Sequence, residues 1–336
     1  MNLQRGWRKL MWCLAMWCVP SGVVVAQELD AAPERLLIMS WNVEWMFDNY
    51  TGDNRSDLAR EQSAPSREYW EAKLSGVAGV IADHRPHIVA LQEIEGLGTL
   101  QAIARTLRQQ YQRTYRYAFI PGTDSFTEQD VGLLVASSSG LVSYCRHEQS
   151  YAMYRSGKYH NLSKHLVAHF RWRNVARPLV LMNVHLRATA EVADVRARQL
   201  ELARVWLRPL AESGADVLLV GDLNTEEPVG SRRGDLAALL GGSNPMMVDL
   251  LQQLSDPHAA THLVLPRQFD RAMGSRSLIE EEPGPDWVLG SVSIIQQGII
   301  RGDADGEEHW SRRLQYPVEE FDLSDHFPLL IELKLK

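Results

Sequence analysis

An α/β fold is predicted for this chain of 336 residues by three observations. Short apolar runs have the length of buried strands, helical periodicity lies between some of them, and polar residues collect at the strand boundaries. With 45% hydrophobic residues the chain can bury a sizeable core and reads as globular, not disordered.

The first 26 residues stand apart from the rest. Arg5, Arg8 and Lys9 precede the apolar run "LMWCLAMWCVPSGVVV", which ends in a small residue before "QELD". That order is a secretory signal, with cleavage expected near Ala26 and a secreted or periplasmic product. The run contains Pro20, Ser21 and Gly22 and falls short of the roughly 20 residues of a spanning helix, so no stable membrane insertion is expected after cleavage. Removing those three cations and no anion takes the formal net charge from −7 to −10. An acidic protein gets no bulk electrostatic help in holding a polyanion, so any phosphate must be bound by a local site. Cys13 and Cys18 fall in the signal, which leaves Cys145 alone and excludes an internal disulfide.

After the signal, strands are expected at "LLIM" (36–39), "HIVAL" (87–91), "VGLLVA" (131–136), "LVAHF" (166–170), "PLVLMNV" (178–184), "VLLV" (217–220) and "PLLIEL" (328–333). Tyr69, Trp70, Leu74, Val77, Val80 and Ile81 follow helical spacing before Pro86 stops them, and Val192 to Leu210 repeat the pattern. The stretches 241–245, 280–286 and 301–308 read as surface loops, and no low-complexity linker divides residues 27–336, which are expected to form one domain. Asn161-Leu162-Ser163 fits a glycosylation sequon, but so short a match carries no weight.

The polar clusters carry the chemistry. Asn42 and Glu44 follow the first strand, Gln92 and Glu93 the second, His185 the fifth, and Asp222 and Asn224 the sixth. Asp130 and the pair Asp325-His326 instead precede their strands. In a mixed sheet, the end of one strand and the start of an antiparallel neighbour share a rim, so all of these could converge. Each has a bland alternative: Asn42 capping a turn, Glu93 capping a helix, "GDLN" as turn chemistry. Their joint placement favours a site. The carboxylates of Glu93, Glu44 and Asp325, without Cys or His at zinc spacing, favour Mg²⁺, Mn²⁺ or Ca²⁺. Together with two histidines, two aspartates and two amides, this inventory suits attack of water on a phosphoester. Neither "GxSxG" nor "SxxK" surrounds a candidate nucleophile, which excludes a serine hydrolase.

In order along the chain, "SWNVEW", "LQEIE", "MNVHLRA", "GDLNTEE" and "LSDHFPLLIEL" resemble the endonuclease/exonuclease/phosphatase superfamily with its deoxyribonuclease I-like fold. The resemblance runs from about residue 35 to the C-terminus. It implies a four-layered α/β sandwich of two packed mixed sheets flanked by helices, and it implies roles. Glu93 would be the main metal ligand with Glu44 nearby, Asp325 a further candidate ligand, and Asn42 would position metal or phosphate. Asp222 and Asn224 would orient water and phosphate. His326 would act as base or phosphate-stabilising imidazole, and His185 would face the phosphate from the other side and assist the leaving group. By the same resemblance Asp270, with Asp286 as rival, would orient His326; Asp130 would orient His185, and Lys164 would contact phosphate. Many relatives have Asp where Glu44 stands, so its place at the metal is open.

The expected function is therefore a metal-dependent phosphodiesterase, monomeric, acting on nucleic acid. A phospholipid head group, inositol phosphate or other small phosphoester is the rival substrate, and a binding protein that has lost catalysis is the third reading. The basic stretches 105–116 and 171–177 do not discriminate, since solvated helix faces look the same.

Overall fold

The computed structural model describes residues 23–24, 29–280, 284–301 and 306–336. Apart from Val23 and Val24, the signal segment lies outside the described residues, as do parts of the 280–286 and 301–308 loops. In chain order the elements are β1 (Val23–Val24), β2 (Arg35–Met46), α1 (Asp57–Gln62), α2 (Arg67–His84), β3 (Ile88–Ile94), α3 (Leu97–Tyr111), β4 (Tyr115–Ala118), β5 (Asp130–Ala136), β6 (Leu141–Cys145), α4 (Tyr151–Arg155), β7 (His165–Phe170), β8 (Leu179–His185), α5 (Ala193–Glu212), β9 (Asp216–Asp222), α6 (Ala237–Leu240), β10 (Met247–Asp249), β11 (Asp270–Ser275), β12 (Trp287–Ile294), α7 (His309–Arg312) and β13 (Leu329–Leu335).

The strands form two mixed sheets, one ordered β1-β6-β7-β8-β9-β11-β10 and the other β12-β13-β2-β3-β5-β4. Strand alternation sorts the core into layers. Leu36 and Ile38 of β2 pack with Leu181 of β8 and Val220 of β9 between the sheets. Met39, Trp41 and Val43 point the other way, against Val77 and Ile81 of α2 and Ile103 of α3. On the far side Val180, Met182 and Val184 of β8 meet Leu200, Ala203 and Leu207 of α5. Two packed sheets with helices outside are the architecture expected from the sequence.

Helix α2 shows why these segments take their form. The Ser66 hydroxyl accepts from Tyr69 N, worth about 1 kcal/mol, and Arg85 closes the helix in the left-handed region before Pro86. Its buried Val77 and Ile81 each contribute roughly 1.5–3 kcal/mol of burial. Helix α3 and strands β11 and β12 went unread in the sequence. Strand β11 opens with the charged pair Asp270-Arg271, which breaks any apolar run, yet both are buried: Arg271 donates to Asp249 and to the Glu227 carbonyl. Strand β12 sits at a sheet edge with only two of its eight residues buried, which removes the hydrophobic signal. Among the described residues no helix is long and apolar enough to cross a membrane.

The register brings the polar strand ends together. Strands β2 and β3 run parallel with Asn42 beside Gln92, and β8 and β9 run parallel with His185 beside Asp222. Asp270 at the start of β11 pairs with Asp222 at the end of β9, and Leu329 at the start of β13 pairs with Ser40. The floor beneath this rim is a buried polar bridge between the sheets, in which Gln92 Nε2 donates to Asn183 Oδ1 at 2.7 Å and Asn183 Nδ2 to the Leu91 carbonyl at 2.9 Å.

Candidate active site

The rim is built on strained backbone. Glu44, Trp45, Glu93 and Asn224 all have positive φ, between 43° and 60°, where a side chain crowds its own backbone. The β2–β3 register breaks between Asn42 and Met46, a bulge that turns the chain where it leaves the sheet. At Gly221 (φ 136°) an added Cβ would lie 1.9 Å from the Val184 carbonyl, so the glycine of "GDLN" lets β9 approach β8 closely enough to set Asp222 beside His185.

Asp222 is the centre. Its Oδ1 accepts from Asn224 N at 2.8 Å, and its Oδ2 accepts from Asn42 Nδ2 at 3.0 Å and Asn224 Nδ2 at 2.9 Å. The imidazole Nε2 atoms of His185 and His326 lie 3.5 Å and 3.8 Å from that same oxygen. Burial pushes the Asp222 carboxyl up, Asp270 adds to this, and His326 with the amide donors opposes it. The Asn42 amide is fixed because its Oδ1 accepts from Glu44 N, so Nδ2 must serve both Asp222 and Glu93 Oε1, each at 3.0 Å.

His326 Nδ1 lies 2.7 Å from Asp270 Oδ2. Burial disfavours its cation, but Asp270, Asp325 and Asp222 prevail and hold the imidazole well above its ordinary range, so it is an imidazolium with Nε2–H toward Asp222. Its position is locked from behind: the His326 carbonyl accepts from Trp41 Nε1 at 3.0 Å, and Ser324 Oγ, which donates to the Asn42 carbonyl, accepts from His326 N. His185 is the opposite case. Burial, then the charges of Lys164 and His326, drive it well below its ordinary range, so it is neutral. Its Nε2, facing Glu93 Oε1 at 3.6 Å and Asp222 at 3.5 Å, is the nitrogen placed to carry the hydrogen.

Glu93 accepts from Asn42 and from Trp45 N at 3.0 Å, and burial followed by Asp325 pushes its carboxyl up to about 7. Lys164 is buried at the rim, 3.2 Å from Gln129 Oε1 and 3.4 Å from Asp124 Oδ2, while its carbonyl accepts from His185 N. A cavity of about 340 Å³ opens alongside, lined by Arg55 and by Asp53, Glu95, Asp124, Glu128 and Asp130. Burial, outweighing the Asp48 N–H bond, moves Glu95 up to about 7.

Two expected placements need correction. Asp130 does not orient His185: its Oδ1 accepts from Gly122 N at 2.6 Å, and His185 Nδ1 has no hydrogen-bond partner among the described residues. The 120–130 loop folds back over the start of β5 and takes the carboxylate, leaving the imidazole to the strand pairing behind it. The Glu44 carboxylate, expected near Glu93 at the metal, is taken up by protein partners. The longer side chain turns under the rim, where both its oxygens lie 3.0 Å from His309 Nε2, Oε1 lies 3.1 Å from Arg313 Nε, and Oε2 accepts from Asp325 N. Burial and Asp325 push this carboxyl up, but Arg313 and His309 prevail and hold it low. A carboxylate so engaged is a structural anchor. Asp286, the rival for His326, lies at the opposite end of the sheets, 3.1 Å from Arg177 Nε.

The Endonuclease/Exonuclease/phosphatase family matches residues 39–326. The chain belongs to this family. No curated protein sequence matches it. Solved structures share the fold: D. rerio TDP2 complexed with a single-strand DNA product (TM-score 0.55, 16% identity, 90% of this chain and 100% of that one); the human Nocturnin catalytic domain with bound sulfate (0.57, 13%, 94% and 97%); and a Bacteroides thetaiotaomicron mannosyl-6-phosphatase (0.56, 15%, 89% and 99%).

As a member of the endonuclease/exonuclease/phosphatase family the chain is a metal-dependent hydrolase of phosphoester bonds. Its residues fit a divalent cation. Carboxylate oxygens of Glu93 and Asp222 lie within 4.8 Å of one another, and among the described residues no Lys or Arg forms an ion pair with Glu93, which has the like charge of Asp325 nearby. Asp325 is drawn outward, 3.1 Å from Trp310 Nε1 and 3.4 Å from His262 Nε2. His262, His309, Trp310 and Arg313 are site residues that sequence reasoning missed. His262 follows "AAT" and carries no strand signal, and the other three stand just past an acidic loop that drew attention to itself.

Proposed function

We propose that this protein is an exported phosphodiesterase that cleaves nucleic acid with Mg²⁺ as the preferred ion, acting as a monomer. One observation supports this above others: two imidazoles in different charge states, the His326 imidazolium before β13 and neutral His185 at the end of β8, face the same Asp222 oxygen. A phosphodiester needs an acceptor for the proton of the attacking water, donors around the developing charge and a proton for the departing oxygen. Asp222 accepts the water proton, its carboxyl raised by burial toward useful basicity. His185 Nε2–H offers a donor to the phosphoryl oxygens, Asn42 and Asn224 hold the Asp222 carboxylate in place, and His326, held by Asp270, delivers its Nε2 proton to the leaving oxygen. Glu93, beside Asp222, would hold a divalent ion, which would supply charge that polarises the phosphate.

A second reading, a small phosphoester as substrate, is favoured by the acidic cavity beside the site, which repels a long polyanion. Purified mature protein with Mg²⁺ would be assayed on plasmid DNA, RNA, sphingomyelin and bis-p-nitrophenyl phosphate, with His326→Ala and Asp222→Ala as controls. Cleavage of DNA or RNA that both substitutions abolish is the expected result. Cleavage of lipid alone would remove the nuclease reading, and equal activity in all three proteins would remove the site assignment.

A further inference from the structure

The mechanism above leaves an exposed indole unexplained. Trp310 in α7 is 45% exposed, yet its neighbours in sequence are fastened to the rim on both sides. His309 is fully buried against Glu44, and Arg313 reaches Glu44 and Gln62. The indole itself is pinned by its edge, with Nε1 donating to Asp325 Oδ2 at 3.1 Å. Its ring centroid lies 6.0 Å from that of His262, whose ring stands edge-on to His326 at 4.7 Å. His262 is fixed in turn, because its Nδ1 accepts from Val264 N and Leu265 N, which leaves Nε2–H for Asp325. A row of held rings therefore runs outward from the catalytic imidazolium and ends in a large open aromatic surface.

A rigid indole loses little conformational freedom when a flat partner settles on it, and nucleobases bind single-strand-reading proteins by this kind of stacking. Its distance from His326, one carboxylate away, suits a group attached to the scissile phosphate and not a remote one. We propose that Trp310 is a substrate-specificity platform that stacks a nucleobase flanking the cleaved phosphodiester, with Glu44, His309 and Arg313 as the brace that keeps it in place. This rests on the nuclease reading given above.

The test separates the ring from its N–H. Wild type, Trp310→Phe and Trp310→Gln would be compared on a short single-stranded oligonucleotide and on its abasic counterpart, which has the same backbone and charge without bases. Wild type is expected to show a KM about tenfold or more lower for the base-bearing strand. Phe keeps most of that preference, and Gln abolishes it by raising KM for the base-bearing strand toward that of the abasic one. If Gln preserves the preference and Phe loses it, the residue only positions Asp325 through its N–H and the proposal falls. Equal KM for the two strands in wild type also overturns the platform while leaving the nuclease reading intact. No hydrolysis of either strand overturns the nuclease reading and the platform with it.

Discussion

Strand β9 begins at Asp216 and ends at Asp222, and both aspartates are buried with carboxyls pushed up by burial. At the Asp216 end, Ser277 donates at 2.6 Å, Arg177 lies 3.8 Å away and also holds Asp286, and the two carboxylates share one environment. Each neighbour there has a structural duty. At the Asp222 end, two amides and two imidazoles of different charge state aim at one oxygen, on backbone strained at Glu93 and Asn224, beside a Glu93 carboxylate open to a cation. A buried, perturbed acid thus does not mark an active site. Convergent donors that outnumber what the fold requires do.

Substitutions can break or sharpen that contrast. The largest effect is expected for Glu93→Ala, which would remove the proposed anchor for the ion and should lower kcat/KM by about 10⁴-fold, about 5 kcal/mol of transition-state stabilisation, with the thermal midpoint little changed. Asp270→Asn keeps the shape but withdraws the charge that orients and protonates His326; a fall of about 10²-fold in kcat with little change in KM is expected from steady-state kinetics. Glu44→Gln separates anchor from ligand. Leaving Arg313 and His309 buried without their carboxylate should cost about 3 kcal/mol in denaturant unfolding, while the Mg²⁺ concentration for half-maximal activity stays nearly unchanged. A large shift in that concentration instead would return Glu44 to the metal.

The smallest effect belongs to the other end of β9. Asp216 has its carboxyl raised from 3.8 to about 7, so between those values the folded chain keeps a proton that the unfolded chain releases. Its contribution is full below about pH 4 and lost as pH rises through about 7. Asp216→Asn should therefore flatten the fall in thermal midpoint between pH 4 and 7, by a few degrees in differential scanning calorimetry. A variant whose midpoint tracks wild type across that window would show that Asp216 does not hold the proton.

Much of this was legible in the sequence because period and punctuation agree where strands are buried on both faces. "PLVLMNV" and "VLLV" became β8 and β9, and the polar residues after them fell on the rim that antiparallel β11 and β13 share. The placement of Asp270 near His326 was implied by the family resemblance, with Asp286 as its rival. What was hidden depends on side-chain direction and on loops. Nothing local tells that one extra methylene in Glu44 sends its carboxylate to His309 and Arg313, some 265 residues later in the chain. Nor could the sequence show that Asp130 turns to Gly122, since loop closure over β5 decides it. His262 and Trp310 escaped because each acts through Asp325, a contact between segments without periodicity.

The claim that catalysis belongs to one end of β9 is tested most directly by kcat/KM for bis-p-nitrophenyl phosphate with Mg²⁺ in Asp222→Asn and Asp216→Asn side by side. The expected result is a loss of at least about 10³-fold for Asp222→Asn and a change of no more than about threefold for Asp216→Asn. Comparable losses in the two variants, or full activity in Asp222→Asn, would contradict it.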